Sequence, residues 1–383
     1  MPNEDQSLAG LSRGFSSSRK LFLRPLALSS GRTASTLAQS GAALPLAGGP
    51  YSFSAVEVIA RASGPGGTAR RTTASLAALR TWIKEEPKPV QDSANQLLDR
   101  LSRPRAPLCG LTLDATRLMG VINVTPDSFF DGGVYFDPTA AVARGRQMRQ
   151  QGAHILDVGG ESTRPGAQPV TEEQELARVV PVVKTLAAEG AVVSIDTRHA
   201  AVMREAVAQG AAIINDVGAL AGEGALASAA RLSVPIVLMH SNADPRTMQN
   251  DPRYDDVVLD VYEYLEARVA RCEAAGIARE RLVVDPGIGF AKTAAHNAAL
   301  LESLAILHGL GCAVLLGVSR KSFIAKFSAG EPVDHRMPGS IAAAQWGASQ
   351  GVQILRVHDL VETRQALAIA STAADPRLLP ATA

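Results

Sequence analysis

A chain of 383 residues has room for one large α/β domain plus an added segment, and 46% hydrophobic residues allow a sizeable core. The 38 basic and 37 acidic side chains nearly cancel, which excludes a general affinity for nucleic acid; any anion site must be local. No apolar run reaches the ~20 residues of a membrane helix, and three scattered cysteines without CxxC spacing read as packing thiols in a reducing compartment.

Residues 1–70 are rich in Gly, Ser and Pro, with breaks at Gly48-Gly49-Pro50 and Gly64-Pro65-Gly66-Gly67. Residues 6–56 hold several Arg and Lys but no Asp or Glu, a composition shared with organelle transit peptides. Glu4 and Asp5 at the start, and the brief strand-like alternation of Tyr51, Phe53, Ala55 and Glu57, favour an added cytoplasmic segment instead. Two helical patterns follow in residues 73–103, separated by Pro87 and Pro89, and SRPRAP (102–107) reads as a linker. Residues 1–106 are therefore expected to be an extension of unknown role, partly disordered or helical.

From about residue 115 the texture changes to short apolar runs alternating with helical patterns. The expected strands are 118–123, 154–158, 192–196, 212–216, 235–240, 282–287, 313–319 and 354–358. Eight strands with helical crossovers in about 260 residues fit a closed parallel (β/α)8 TIM barrel, with an open doubly wound sheet as the alternative. The barrel domain is assigned to residues 107–383.

The polar residues fall at the ends of these runs: Asn123, Asp157, Asp196, Asn215 with Asp216, His240, Asp285, Ser319 and His358. Any one of them could be a helix cap or an Asx turn. Together they point to a polar pocket, because strand ends ring the mouth of a barrel. Asp196, Asn215 and Asp285 suit a flat heterocycle with adjacent N–H donors. Lys321, Arg356 and His358 follow the last two strands, where barrels often hold phosphate. Arg320, in the same run, reads better as a solvated or salt-bridged side chain. The segments NVTPDSFFDGG (123–133) and GGESTRPGA (159–167) are candidate lids.

At this point MGVINVTPDSFFDGG, ILDVGGESTRPGA, SIDTR, IINDV, VLMH, VDPGIGF, GVSRKSF and RVHD stand in one order. The sequence resembles the dihydropteroate synthases over roughly two-thirds of its length. That resemblance implies a (β/α)8 barrel that condenses 6-hydroxymethyl-7,8-dihydropterin pyrophosphate with 4-aminobenzoate, uses Mg2+ and is a sulfonamide target. By matching motif, Asp196, Asn215, Asp285 and Lys321 would hold the pterin. Asn123, Arg356 and His358 would bind the pyrophosphate, with Asn123 and Asp131 serving the metal. Thr163, Arg164, Pro165, Phe290 and Ser322 would form the aminobenzoate pocket. Lys321, Arg356, His358 and Asp196 would carry the catalysis, and small-molecule substrates, a homodimer and a cytoplasmic location are expected.

Phe130, Ala291 and Ala243-Asp244 depart from the family pattern without removing a pocket group. The rivals are a pterin-dependent methyltransferase, a non-catalytic pterin-binding homologue, and a synthase using another arylamine. A methyl transfer needs no pyrophosphate site, and a non-catalytic homologue would be expected to lose anion residues that are present here.

Overall fold

A computed structural model describes Leu8, Leu11 and residues 19–62, 67–124, 138–161, 170–241 and 252–379. The expected lids and their residues Asp131, Thr163, Arg164 and Pro165 lie outside the described residues, as do Phe130 and Ala243-Asp244.

Eight parallel strands close into a barrel in chain order: β5 (Arg117–Asn123), β6 (Ile155–Gly159), β7 (Val193–Asp196), β8 (Ile213–Asp216), β9 (Ile236–Met239), β10 (Leu282–Asp285), β11 (Ala313–Gly317) and β12 (Ile354–Val357). β12 pairs with β5, so no edge is left. The closed order settles the choice between barrel and open sheet. Helices cover the outside, and the largest apolar cluster fills the layer between them and the strands. Among the described residues, no helix is long and apolar enough to cross a membrane.

The barrel interior is apolar below and charged above. Met119, Ile155, Ile213, Val237, Val283, Leu315 and Ile354 form a dry floor, closed from beneath by Leu108 and Leu113. Strand side chains alternate with period two. Two residues further along, the same interior face therefore presents Asp157, Asn215, Asp285 and Arg356. Cys272 and Cys312 are buried, and burial pushes their thiols up to about 11 and about 12, so they stay neutral packing groups.

The extension differs from the expectation. It carries a four-stranded antiparallel sheet: β1 (Arg19–Ser30), β2 (Leu44–Pro45), β3 (Tyr51–Ala62) and β4 (Ala69–Ser75). β3 pairs with β1 from Arg19↔Ala62 to Ser30↔Tyr51 and with β4 from Ala55↔Ser75 to Arg61↔Ala69. The two expected helices are present as Leu76–Glu85 and Lys88–Ser102. They pack on the sheet with their own core, which includes Leu23, Phe53, Val56, Leu79, Trp82 and Leu97. Pro25 sits opposite Val56 within β1; an edge strand tolerates it because its missing N–H is not needed by a second neighbour.

The other face of the sheet lies on the barrel helix Val257–Ala274. Phe22 meets Tyr262 edge-on, with ring centroids 5.2 Å apart, and Phe22 and Ile59 belong to the main barrel cluster. Lys20 and Arg24, from the stretch that shares a transit-peptide composition, have acidic partners on this side, as do Arg61 and Arg71 beyond it. Lys20 pairs with Glu266, Arg24 reaches Glu302 at 2.9 Å, Arg61 meets Asp260 at 2.6 Å and Arg71 meets Asp256 at 2.6 Å. Partly exposed ion pairs such as those of Lys20 and Arg71 contribute about 0–1 kcal/mol each, whereas Arg24 and Arg61 are largely covered, so the apolar contact and these two arginines fix the docking together. The expected linker is tied down as well. Arg105 donates to the carbonyls of Arg100, Arg103, His308 and Cys312 at 2.9–3.1 Å.

Candidate active site at the barrel mouth

The centre of the mouth is Arg356 on β12. Its Nε donates to Asp157 Oδ2 at 2.6 Å, and its Nη2 donates to Asp196 Oδ2 at 2.7 Å. Asn215 Nδ2 donates to the same Asp157 oxygen at 3.0 Å. Four strands thus converge through side chains that β-sheet alternation aims inward. Asp157 was legible as a polar strand end, but its partners on β8 and β12 lie 58 and 199 residues away. Only the closed barrel brings them together.

Asp285 and Lys321 form the second part. Asp285 Oδ1 accepts the Gly287 N–H at 2.7 Å, which leaves Oδ2 outside that turn. Gly287 has φ +66°, and a Cβ there would stand 2.0 Å from the His240 carbonyl oxygen, so only glycine fits. Lys321 Nζ donates to the Ile288 carbonyl at 2.5 Å and sits 4.7 Å from the centre of the Phe290 ring. Burial pulls the Lys321 ammonium down to about 8, against the opposing pull of Asp285. Burial likewise raises Asp285, and it pushes Asp196 up to about 7 although Arg356 works the other way. Asp196 keeps 12% exposure at the bottom of the mouth.

The remaining strand ends divide into two kinds. His358 Nδ1 lies 3.0 Å from Ser319 Oγ, which also accepts the His358 N–H at 3.2 Å, so the ring is oriented beside Arg356. Asn123 ends β5 opposite Gly159 and is partly exposed. Ser322 is exposed at the first position of the helix Ser322–Phe327. Asp216, in contrast, spends both oxygens on the backbone N–H groups of Gly218 and Leu220, at 2.7 and 2.8 Å. It is a turn residue. Arg320 is salt-bridged to Asp359.

His240 and Lys292 form a buried pair that strand-end reading only half anticipated. Lys292 Nζ contacts His240 Nδ1 at 2.9 Å and donates to the Phe290 carbonyl at 2.9 Å. Burial lowers Lys292 to about 7 and His240 to about 3, so the imidazole is the neutral acceptor. Between Phe290 and Lys292, Ala291 has φ +48° where the family pattern favours Gly. The left-handed conformation costs a residue with a side chain about 1–2 kcal/mol, against about 0.5–1 kcal/mol for the greater chain entropy of glycine. Ala291→Gly should therefore raise stability by roughly 0.5 kcal/mol, opposite in sign to the usual change, read as an upward shift of the urea midpoint.

Among the described residues, no group of three His, Cys, Asp or Glu side chains could hold a metal. The donor chemistry fits Mg2+ differently. Such an ion keeps most of its waters and takes one or two protein oxygens plus phosphate, and Asn123 supplies an amide oxygen at the mouth.

The family model described as "Pterin binding enzyme" matches residues 119–358, from the third residue of β5 to the histidine after β12. The chain belongs to the pterin binding enzyme family. Within that family it is 47% identical to the dihydropteroate synthase of Escherichia coli K12 over 260 residues, 68% of this chain and 92% of that protein. The dihydropteroate synthase of Haloferax volcanii, there part of a probable bifunctional protein with folylpolyglutamate synthase, is 42% identical over 270 residues. Those residues are 70% of this chain and 32% of that protein. Among solved structures, the Xanthomonas albilineans dihydropteroate synthase with 4-aminobenzoic acid matches with a TM-score of 0.67 at 47% identity. The match covers 70% of this chain and 98% of that one. The same enzyme in complex with 7,8-dihydropteroate matches with a TM-score of 0.64 at 45% identity, over the same shares. These matches cover about the share of the chain that the pterin-binding barrel occupies.

Proposed function

We propose that this protein is a dihydropteroate synthase, condensing 6-hydroxymethyl-7,8-dihydropterin pyrophosphate with 4-aminobenzoate to give 7,8-dihydropteroate and pyrophosphate. The observation that carries the reading is the convergence of Asp157, Asp196, Asn215 and Arg356 beside Asp285 and Lys321 at one barrel mouth. Since Asn215 Nδ2 is donated to Asp157, its carbonyl oxygen is the group left to accept a pterin N–H. Asp285 Oδ2 accepts from the 2-amino edge, and the Lys321 ammonium meets the ring carbonyl. Arg356 holds Asp196 under the ring, where a carboxylate stabilises positive charge developing on the pterin as the leaving group departs.

The bond between the methylene carbon and the pyrophosphate oxygen breaks, the amine nitrogen of aminobenzoate bonds to that carbon, and the amine proton is released. Arg356 and His358 neutralise the departing oxygens. The arylamine would meet Phe290 and Ser322, with Thr163, Arg164 and Pro165 assigned to it by their motif alone, and positioning would supply much of the rate. Mg2+, held by Asn123 with Asp131 and the pyrophosphate, would add charge neutralisation on the leaving group.

A homodimer fits Trp346, Val361 and Ile369, which two barrel helices leave 47%, 41% and 69% exposed. Its sedimentation mass should be twice that of the chain. A cytoplasmic location belongs to the same reading.

The test is a coupled assay with the pterin pyrophosphate, 4-aminobenzoate and Mg2+, reading pyrophosphate release and dihydropteroate together. Wild type should form both in equal amounts, and Lys321→Ala and Arg356→Ala should each lose about 100-fold or more, as expected when a charge-stabilising group is removed. Full activity in both variants would sink the site assignment, and pterin consumption without pyrophosphate release would sink the reaction.

A further inference from the structure

The extension reaches the active site through a short, continuous set of contacts. Arg61, only 5% exposed, lies on β3, and Arg71 lies on β4. Their carboxylate partners each serve two structures. Asp260 accepts Arg61 on Oδ1, and its Oδ2 accepts the N–H groups of Asp255 and Asp256 at 3.0 and 3.2 Å. Asp256 accepts Arg71 on Oδ2, and its Oδ1 caps the following helix through Val258 and Leu259 at 3.1 and 3.2 Å. The segment that enters this helix is therefore fixed from both sides.

The next residue back is the connection to the pocket. Tyr254 Oη donates to the Ala291 carbonyl at 2.9 Å, on the left-handed residue that follows Phe290. The Phe290 carbonyl is held by Lys292, and its ring lies under Lys321. From these contacts we infer that the extension is a positioning element of the active site: Arg61 and Arg71 hold residues 254–256, and Tyr254 passes that constraint to the Phe290 wall. Assigning the arylamine to that wall rests on the function proposed above; the mechanical link does not.

The pair of substitutions Arg61→Met and Arg71→Met removes the upstream hold, and Tyr254→Phe removes the downstream hydrogen bond without touching the extension. One hydrogen bond contributes about 0.5–1.5 kcal/mol, so each change should raise KM for 4-aminobenzoate by about two- to tenfold. The KM for the pterin pyrophosphate should stay within about twofold, a difference of only ~0.4 kcal/mol. Combining all three should give little more than either alone, because the contacts act in series. Arg61→Lys, which keeps a cation at Asp260, should recover part of the shift.

A second readout needs no substrate. Hydrogen exchange over residues 288–293 should speed up in the Arg61→Met/Arg71→Met protein and in Tyr254→Phe alike. Unchanged exchange there, with only the melting temperature lowered, would overturn the inference and make the extension a passive brace. A flat arylamine KM in an active enzyme, with exchange altered, would keep the mechanical link and overturn its effect on the arylamine. A wild type inactive with these substrates would count against the proposed function, and exchange would still decide the link.

Discussion

Replacing Arg356 by alanine should cost the protein about 3–5 kcal/mol of stability, beyond its effect on turnover. That figure applies to breaking a buried ion pair by removing one partner. Asp157 is 0% exposed and would keep only the Asn215 amide. Asp196 is less exacting, since a carboxyl already pushed up to about 7 can take a proton near neutrality. The double variant Arg356→Ala/Asp157→Asn should therefore regain most of the lost stability and none of the lost activity. Arg356→Lys should recover little, because one ammonium does not reproduce a planar fork between two carboxylates. Chemical denaturation at fixed pH measures the first effect, and steady-state kinetics the second. An Arg356→Ala protein as stable as wild type would disprove the network.

The second large effect is a narrow pH profile. Catalysis as proposed needs Asp196 ionised and Lys321 protonated, and the free enzyme holds these groups at about 7 and about 8. The plot of kcat/KM against pH should rise through about 7 and fall through about 8. Pyrophosphate groups also titrate in the acid part of this range, so variants must separate the sources. Asp196→Asn should lose the acid limb, and Lys321→Met the alkaline limb, each with a fall of about 100- to 1000-fold at the optimum. An acid limb that survives in Asp196→Asn would assign it to the substrate.

The same shift has a stability consequence of defined sign. The folded state binds the Asp196 proton more tightly than the unfolded chain, whose pKa is ordinary. Stability therefore increases as pH falls from about 7 toward the carboxylate range, and above 7 the ionised group is a standing cost.

Most of the barrel was legible because parallel strands buried on both faces read as short apolar runs, and polar residues marked where each run ended. Each expected strand overlaps an observed one, with differences of one or two residues at most ends. The continuous helical pattern of residues 294–310 is not one helix: a regular helix stops at Glu302 and a tighter 3-10 turn continues from Leu304 to Leu310. The pocket could be read as a set of residue types but not as a network. Nothing in the sequence says that Asp157 rather than phosphate would occupy the Arg356 Nε. Lys292 was hidden for a different reason, as a lysine in a loop ordinarily reads as solvated. The sheet of the extension was legible only in the brief alternation of Tyr51, Phe53, Ala55 and Glu57, which lies in β3; the continuous buried runs Leu21–Leu23 in β1 and Val58–Arg61 in β3 cover both faces and carry no period-two signal.

Tyr262 shows what this union means for the barrel surface. It is a large ring on a barrel helix, 1% exposed, with Phe22 of the extension edge-on against it. The His308 and Cys312 carbonyls likewise take their hydrogen bonds from Arg105. A barrel released from its neighbour would expose more of this ring and lose the Arg105 hydrogen bonds to two of its carbonyls. The barrel surface beneath the extension is thus an interior surface, and the extension is part of the barrel's own envelope.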